Sequence, residues 1–116
     1  MRQVVHHLAD SHSNGYLRFK LALTEDVPTI VPYDEKAWAE TPDVALTNPD
    51  VSVRLMTSLH ERWVDALRAL NEDDARRTFV HPERGTLDID WLIQMYAWHG
   101  RHHIAHVAVA RQRGGW

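Results

Sequence analysis

Four histidines fall within the nine residues Trp98-His99-Gly100-Arg101-His102-His103-Ile104-Ala105-His106, near the C-terminus. They interrupt a segment whose apolar spacing is that of a long helix. Nothing else constrains the fold as strongly, because a helix face buried there must give each imidazole a partner or pay to desolvate it. Residues four apart stack on one helix face, so His99 and His103 can aim at one point, and so can His102 and His106. That is the simplest two-ligand geometry for a divalent metal.

The segment from about Ile89 to Arg113 reads as one helix, capped by Thr86 or Asp88 and stopped at Gly114-Gly115. At ~100° per residue, Leu92, Met95, Tyr96 and Ala110 fall within about 60° of His99, on the side that also holds His103 and His106. The histidines therefore replace apolar residues on the inward face. His102 sits at the edge of that arc with Trp98 and Val109.

Residues 1 to about 24 form a second helical stripe of Val4, Leu8, Phe19 and Ala22, widened by Val5, Tyr16 and Leu23. No capping Ser, Thr, Asp or Asn precedes it, which suggests a truncated start. Glu25 to Asn48, bounded by prolines, reads as a long connection, with a short helix over Tyr33–Glu40 that lays Trp38 over a cleft or plugs the core. Asn48-Pro49-Asp50 opens a third helix with Leu55, Leu59, Trp63, Ala66 and Leu70 as its stripe, ending near Asn71. Asn71-Glu72-Asp73-Asp74 starts a short helical turn, and Phe79 to Thr86 is an irregular loop or a small hairpin. Three long helices without alternating strand patterns define an all-α bundle.

One domain of 116 residues has room for a single core. The formal charge of −3 without a basic block argues against nucleic acid as a partner. There is no cysteine, so thiolate zinc sites and a cysteine nucleophile are excluded, and thiol chemistry needs a thiol supplied by a substrate. No apolar run approaches the roughly 18 residues of a membrane span, and the polar Arg2, Gln3, His6 and His7 make no signal peptide. The expected compartment is the cytoplasm.

A third metal ligand must come from outside the C-terminal tract. His6, His7 and His12 near the N-terminus, His60 of the helix that opens at Asn48 and His81 of the loop are the candidates. Periodicity slightly favours His12, which lies nearer the apolar stripe, whereas His7 lies on its flank in line with Ser11 and Asn14.

The run Arg2-Gln3-Val4-Val5-His6-His7-Leu8-Ala9-Asp10-Ser11-His12, with Tyr16, Arg18-Phe19-Lys20-Leu21, Thr24-Glu25 and Tyr33-Asp34-Glu35-Lys36-Ala37-Trp38, resembles the YfiT branch of the DinB-like proteins. Leu59-His60, Arg62-Trp63, His81-Pro82, Trp98-His99, His102-His103-Ile104-Ala105-His106 and Gly115-Trp116 match the same branch. The resemblance implies a four-helix bundle and a zinc or nickel ion on three histidines. It also implies metal-dependent hydrolysis or, as in some members, transfer of a low-molecular-weight thiol such as bacillithiol. Carried over by motif, the ligands are His7, which directly precedes Leu-Ala-Asp, and the pair His99 and His103. His6, His12, His102 and His106 then become supporting or wall residues, or hydrogen-bonded partners of backbone and carboxylates.

Two departures stand out. Gly100 replaces an acid that many members carry. The N-terminal helix and the Gly-Gly-Trp lead-in, roughly the first third of a typical member, are absent before Arg2. That leaves an uncovered groove expected to favour a homodimer, to strand the protein as an unstable fragment, or to require the missing part from elsewhere.

Three neutral imidazoles leave a coordination position open, where the metal lowers the pKa of water towards ~7 or takes up a thiol. Hydrolase and transferase share those ligands. Asp10, one turn from His7, is placed to orient a ligand imidazole or to be a solvated helical acid. Arg18, about three turns from His7, is placed to meet a substrate carboxylate or to form a surface salt bridge. The expected function is a metal-dependent enzyme on small molecules. The alternatives are a non-catalytic metal- or ligand-binding bundle and an inactive truncated product.

Overall fold

Helix α1, Arg2–Thr24, is the spine against which the other elements are laid. The structure is a computed structural model and describes residues 2–97. Three further helices follow a loop: α2, Glu35–Ala39; α3, Pro42–Leu46; and the long α4, Pro49–Arg68. Then come the short α5, Glu72–Ala75, the strands β1, Thr78–His81, and β2, Gly85–Asp88, and a helix α6 described over residues 89–97.

The helix starts follow local chemistry. Asn48 caps α4 through its side chain to the Asp50 backbone N–H, with Pro49 in the first turn. Asn71 and Asp74 form a reciprocal capping box on α5. Of the two expected caps for α6, Asp88 is the one used, accepting from Trp91 N at 2.8 Å. α4 gives way at Ala69, somewhat before the expected Asn71, where the Ala69 and Leu70 amides close a tighter terminal turn on Ala66 and Leu67. The expected extension of the last helix to Arg113 and its Gly114-Gly115 stop lie outside the described residues.

The connection after α1 is more structured than its prolines suggest. Pro42 starts α3 within it, and that helix buries Val44. Earlier in the connection, Ile30 N donates to the Val80 carbonyl at 2.9 Å and Val80 N to the Pro28 carbonyl at 2.8 Å. This docks the loop alongside the antiparallel β1–β2 hairpin, in which Thr78 pairs with Asp88 and His81 with Gly85. Of the two readings for Phe79–Thr86, the small hairpin is realised. Its turn passes through Gly85 at φ +79° and is held by His81, whose Nδ1 accepts from the backbone N–H of Glu83 and of Arg84.

α1 packs chiefly on α4. Phe19, Ala22, Ile30, Trp63, Phe79, Ile89, Leu92 and Tyr96 form one buried cluster that joins α1, α4, the hairpin and α6. Trp63 sits at its centre, with ring centroids of Tyr16, Phe19 and Tyr96 at 5.7, 5.9 and 5.8 Å. Gly15 lets α6 approach α1, because a Cβ built there would lie 2.5 Å from Tyr96 Cζ and 2.7 and 2.8 Å from its Cε atoms. On α4, Val51 and Leu55, one turn apart, remain exposed.

Candidate metal and substrate site

Each histidine of α1 has a distinct fate, set by where the helical period turns it. His6 is buried and faces the α3–α4 junction, with Nε2 3.0 Å from the Thr47 carbonyl and Nδ1 bonded to the Ser52 hydroxyl. A carbonyl only accepts, so Nε2 carries a proton. His12 is buried too, and its Nδ1 lies 2.8 Å from His60 Nε2, with the Tyr96 ring edge-on at 5.4 Å. Each of those two imidazoles spends a nitrogen on the other. Burial pushes the His60 pKa below its usual value, favouring the neutral ring.

His7 is half-buried and points elsewhere. At ~100° per residue it shares one face of α1, about 60° wide, with Ser11, Asn14 and Arg18. Ser11 and Arg18 line a cavity of about 290 Å³. The opposite walls come from Tyr33 of the loop, Phe79 and Arg84 of the hairpin, and Trp91, Met95 and Tyr96 of α6. The cavity thus opens on the same side of α1 as His7.

Two phenols converge there on Ser11. Burial and the nearby Glu35 push the Tyr33 hydroxyl up to about 12, against the opposing effect of its hydrogen bond with Ser11. Burial also raises Tyr96, while Arg18 and a hydrogen bond with Ser11 pull it down. Both phenols therefore keep their protons at neutral pH, and Tyr33 gives its O–H to Glu35 Oε1 at 3.5 Å. Asp10 is raised first by burial and then by Asp43, with His7 and His6 pulling it down. Its carboxylate lies within electrostatic reach of His7.

The structure thus puts His7, Asp10 and Arg18 along the cavity side of one helix. Of the other candidates for a third ligand, His6, His12 and His60 carry hydrogen bonds, and His81 lines the cavity while its Nδ1 accepts from the hairpin turn. Trp38 neither covers the cleft nor plugs the core. It is 41% exposed and packs edge-on against Tyr33 at 4.9 Å, bracing the residue that does form the wall. His99, His102, His103 and His106 lie outside the described residues. Among the described residues, no three His, Asp or Glu side chains form a metal-binding group. An imidazole on the helical face that carries Ser11 and Arg18 is chemically a fitting single donor for a borderline-soft divalent ion.

Sequence reasoning missed Tyr33, Tyr96 and Arg84 as site residues, and it missed Gly15. A glycine inside an otherwise good helix is a local signal of close packing. The two phenols and Arg84 come together only through tertiary contacts between distant segments.

A family model of the DinB superfamily matches residues 1–107. The chain belongs to the DinB superfamily. A Bacillus cereus relative named "Putative metal-dependent hydrolase" is 54% identical over all 116 residues, which span 66% of that protein. A Bacillus mycoides relative of the same description is 53% identical over the same span. Among solved structures, that of Bacillus subtilis YfiT, described as "a probable metal-dependent hydrolase with an unusual four-helix bundle topology", superposes with a TM-score of 0.90. It is 48% identical over 99% of this chain and 66% of its own. The fold is therefore that of the DinB-like helical bundle, and the chain spans just under two thirds of the length of these relatives. Among the described residues no helix is long and apolar enough to cross a membrane.

Proposed function

We propose that this DinB-like chain carries the metal centre of a cytoplasmic enzyme acting on small molecules, with His7, His99 and His103 holding one zinc or nickel ion. The observation that supports this reading is that Ser11 and Arg18, which share one helical face of α1 with His7, line the cavity together with Leu92, Met95 and Tyr96. The helical period of that α6 line, continued along the sequence, reaches positions 99 and 103. The homologues' names support metal dependence and hydrolysis.

Bound there, the ion would lower the pKa of a water or a thiol so that a nucleophile exists at neutral pH. The chain's own groups do the rest. Tyr96 supplies a neutral O–H donor to a substrate oxygen, while Tyr33 gives its own to Glu35, and both phenols hydrogen-bond with Ser11. Asp10 lies within electrostatic reach of His7, which favours its carboxylate form. The apolar walls, Phe79, Leu92 and Met95, limit water around the reacting centre.

Hydrolysis and thiol S-transfer both fit these groups, and the chain contains no cysteine, so a transferred thiol would arrive as a co-substrate. Metal analysis of untagged protein is the test. One equivalent of zinc or nickel is expected, lost in His7→Ala, His99→Ala and His103→Ala; unchanged binding in these variants would sink the proposal. The metal-loaded protein is then offered a bacillithiol-like thiol with an electrophile, beside ester and amide substrates. Thiol consumption or hydrolysis assigns the reaction.

A further inference from the structure

We infer that the cavity selects elongated organic anions, gripping a carboxylate or another anionic oxygen group between Arg18 and Arg84 and laying the rest of the molecule along α1 toward His7. The inference rests on the metal-site reading only for what happens at the far end. Arg18 is half-buried in the cavity wall, and Arg84 enters from the hairpin turn with its guanidinium 5.7 Å from the Trp91 ring centroid. Neither forms an ion pair among the described residues, where the salt bridge found is the solvent-exposed Arg76–Glu72. Glu35 is the acid in the lining, and its hydroxyl neighbour is Tyr33 at 3.5 Å. Two cations against one anion leave the cavity positive. Guanidinium groups are suited to planar, two-point recognition of carboxylate and phosphate.

The same helix supplies a ruler. Ser11 and Arg18 are seven residues apart, or about 10 Å at 1.5 Å per residue, and His7 lies a further turn away, about 16 Å from Arg18. Long helical side chains lean toward the helix N-terminus, so Arg18 reaches back into this span. A ligand held at the arginines therefore places a reactive bond near His7 only when roughly 10–15 Å separate that bond from its anionic end. Trp91, Met95 and Tyr96 offer the intervening body an apolar and aromatic bed. At about 290 Å³ the cavity lies at the small end of ligand pockets, suiting a single compact chain or ring.

The test is calorimetric titration of the full chain, metal-free and zinc-loaded, with 4-phenylbutyrate, its neutral amide and phenyl phosphate. The acid is expected to bind at least about 10-fold more tightly than the amide, and Arg18→Gln and Arg84→Gln are each expected to weaken it about 10-fold or more. Arg18→Lys should restore part of the loss. The preference between the acid and phenyl phosphate identifies the anionic group. Equal binding of acid and amide, unchanged binding in both glutamine variants with unaltered melting, or no binding of any probe would overturn the inference. Metal content is measured in parallel. Arginine-dependent binding to a chain that takes up no metal would leave the anion seat standing and remove the metal reading alone.

Discussion

Replacing Gly15 with alanine separates two effects of opposite sign. In an isolated helix the change stabilises by about 1 kcal/mol, since alanine costs less backbone entropy than glycine. Here the added methyl would sit 2.5–2.8 Å from three atoms of the Tyr96 ring. The ring is buried against Trp63 and His12 and has little room to retreat. Overpacking of this kind costs about 1–3 kcal/mol. The net expectation is a loss of about 1 kcal/mol, or roughly 4 °C in melting temperature for a domain of this size. Urea and thermal melts of Gly15→Ala, Tyr96→Ala and the double variant form the assay. With the ring removed, the Gly15→Ala change should revert to a gain of about 1 kcal/mol, so the cycle should show strong coupling. A Gly15→Ala protein more stable than the parent, or a cycle without coupling, would refute the close approach of α6 to α1.

Adjacent histidines should respond in opposite ways. His6→Ala leaves the buried Ser52 hydroxyl without its imidazole partner and should cost about 1–3 kcal/mol in a urea melt, while the mark of His7→Ala should be lost metal uptake. The depressed His60 pKa means that the folded state favours the neutral ring. Its contribution is fully present above the unfolded value of 6.5 and is lost as the pH falls from there through the lowered folded value. Melting curves between pH 7.5 and about 5 should therefore show a steeper loss for the parent than for His60→Gln. Asp88→Ala removes the α6 cap and should cost about 1 kcal/mol by the same melts.

Features set by neighbours in the chain were legible before the fold. The stripe of α1, the C-terminal part of the α4 stripe, the caps at Asn48, Asn71 and Asp88, and the hairpin flanked by proline and glycine are local consequences of side-chain period and backbone preference; Leu55, expected in the buried stripe of α4, is instead exposed. Features that depend on distant contacts were not. α3 hides in a proline-rich connection because Pro42 reads as punctuation when it is in fact a first-turn residue. Trp38 looks like a lid in isolation, and only the position of Tyr33 turns it into a brace. Periodicity leaned toward His12 because it tracks burial, and burial is what the His12–His60 pair satisfies. The flank position of His7, unremarkable on a helical wheel, gains meaning from the cavity beside it. Arg18 could be placed near the His7 line, but nothing local announces Arg84, which reaches the same space from the hairpin.

The bonds of His6 to Thr47 and Ser52 also act as a clock setting for α1. A side-chain tip stands about 5–6 Å from a helix axis, so a 20° roll of the spine would carry His7 by about 2 Å, as far as the whole length of a metal–nitrogen bond. One histidine anchors the rotation of the helix, and with it the direction of the neighbour proposed as a metal ligand. A chain whose α1 could roll would keep every residue of the site and lose the point on which they meet.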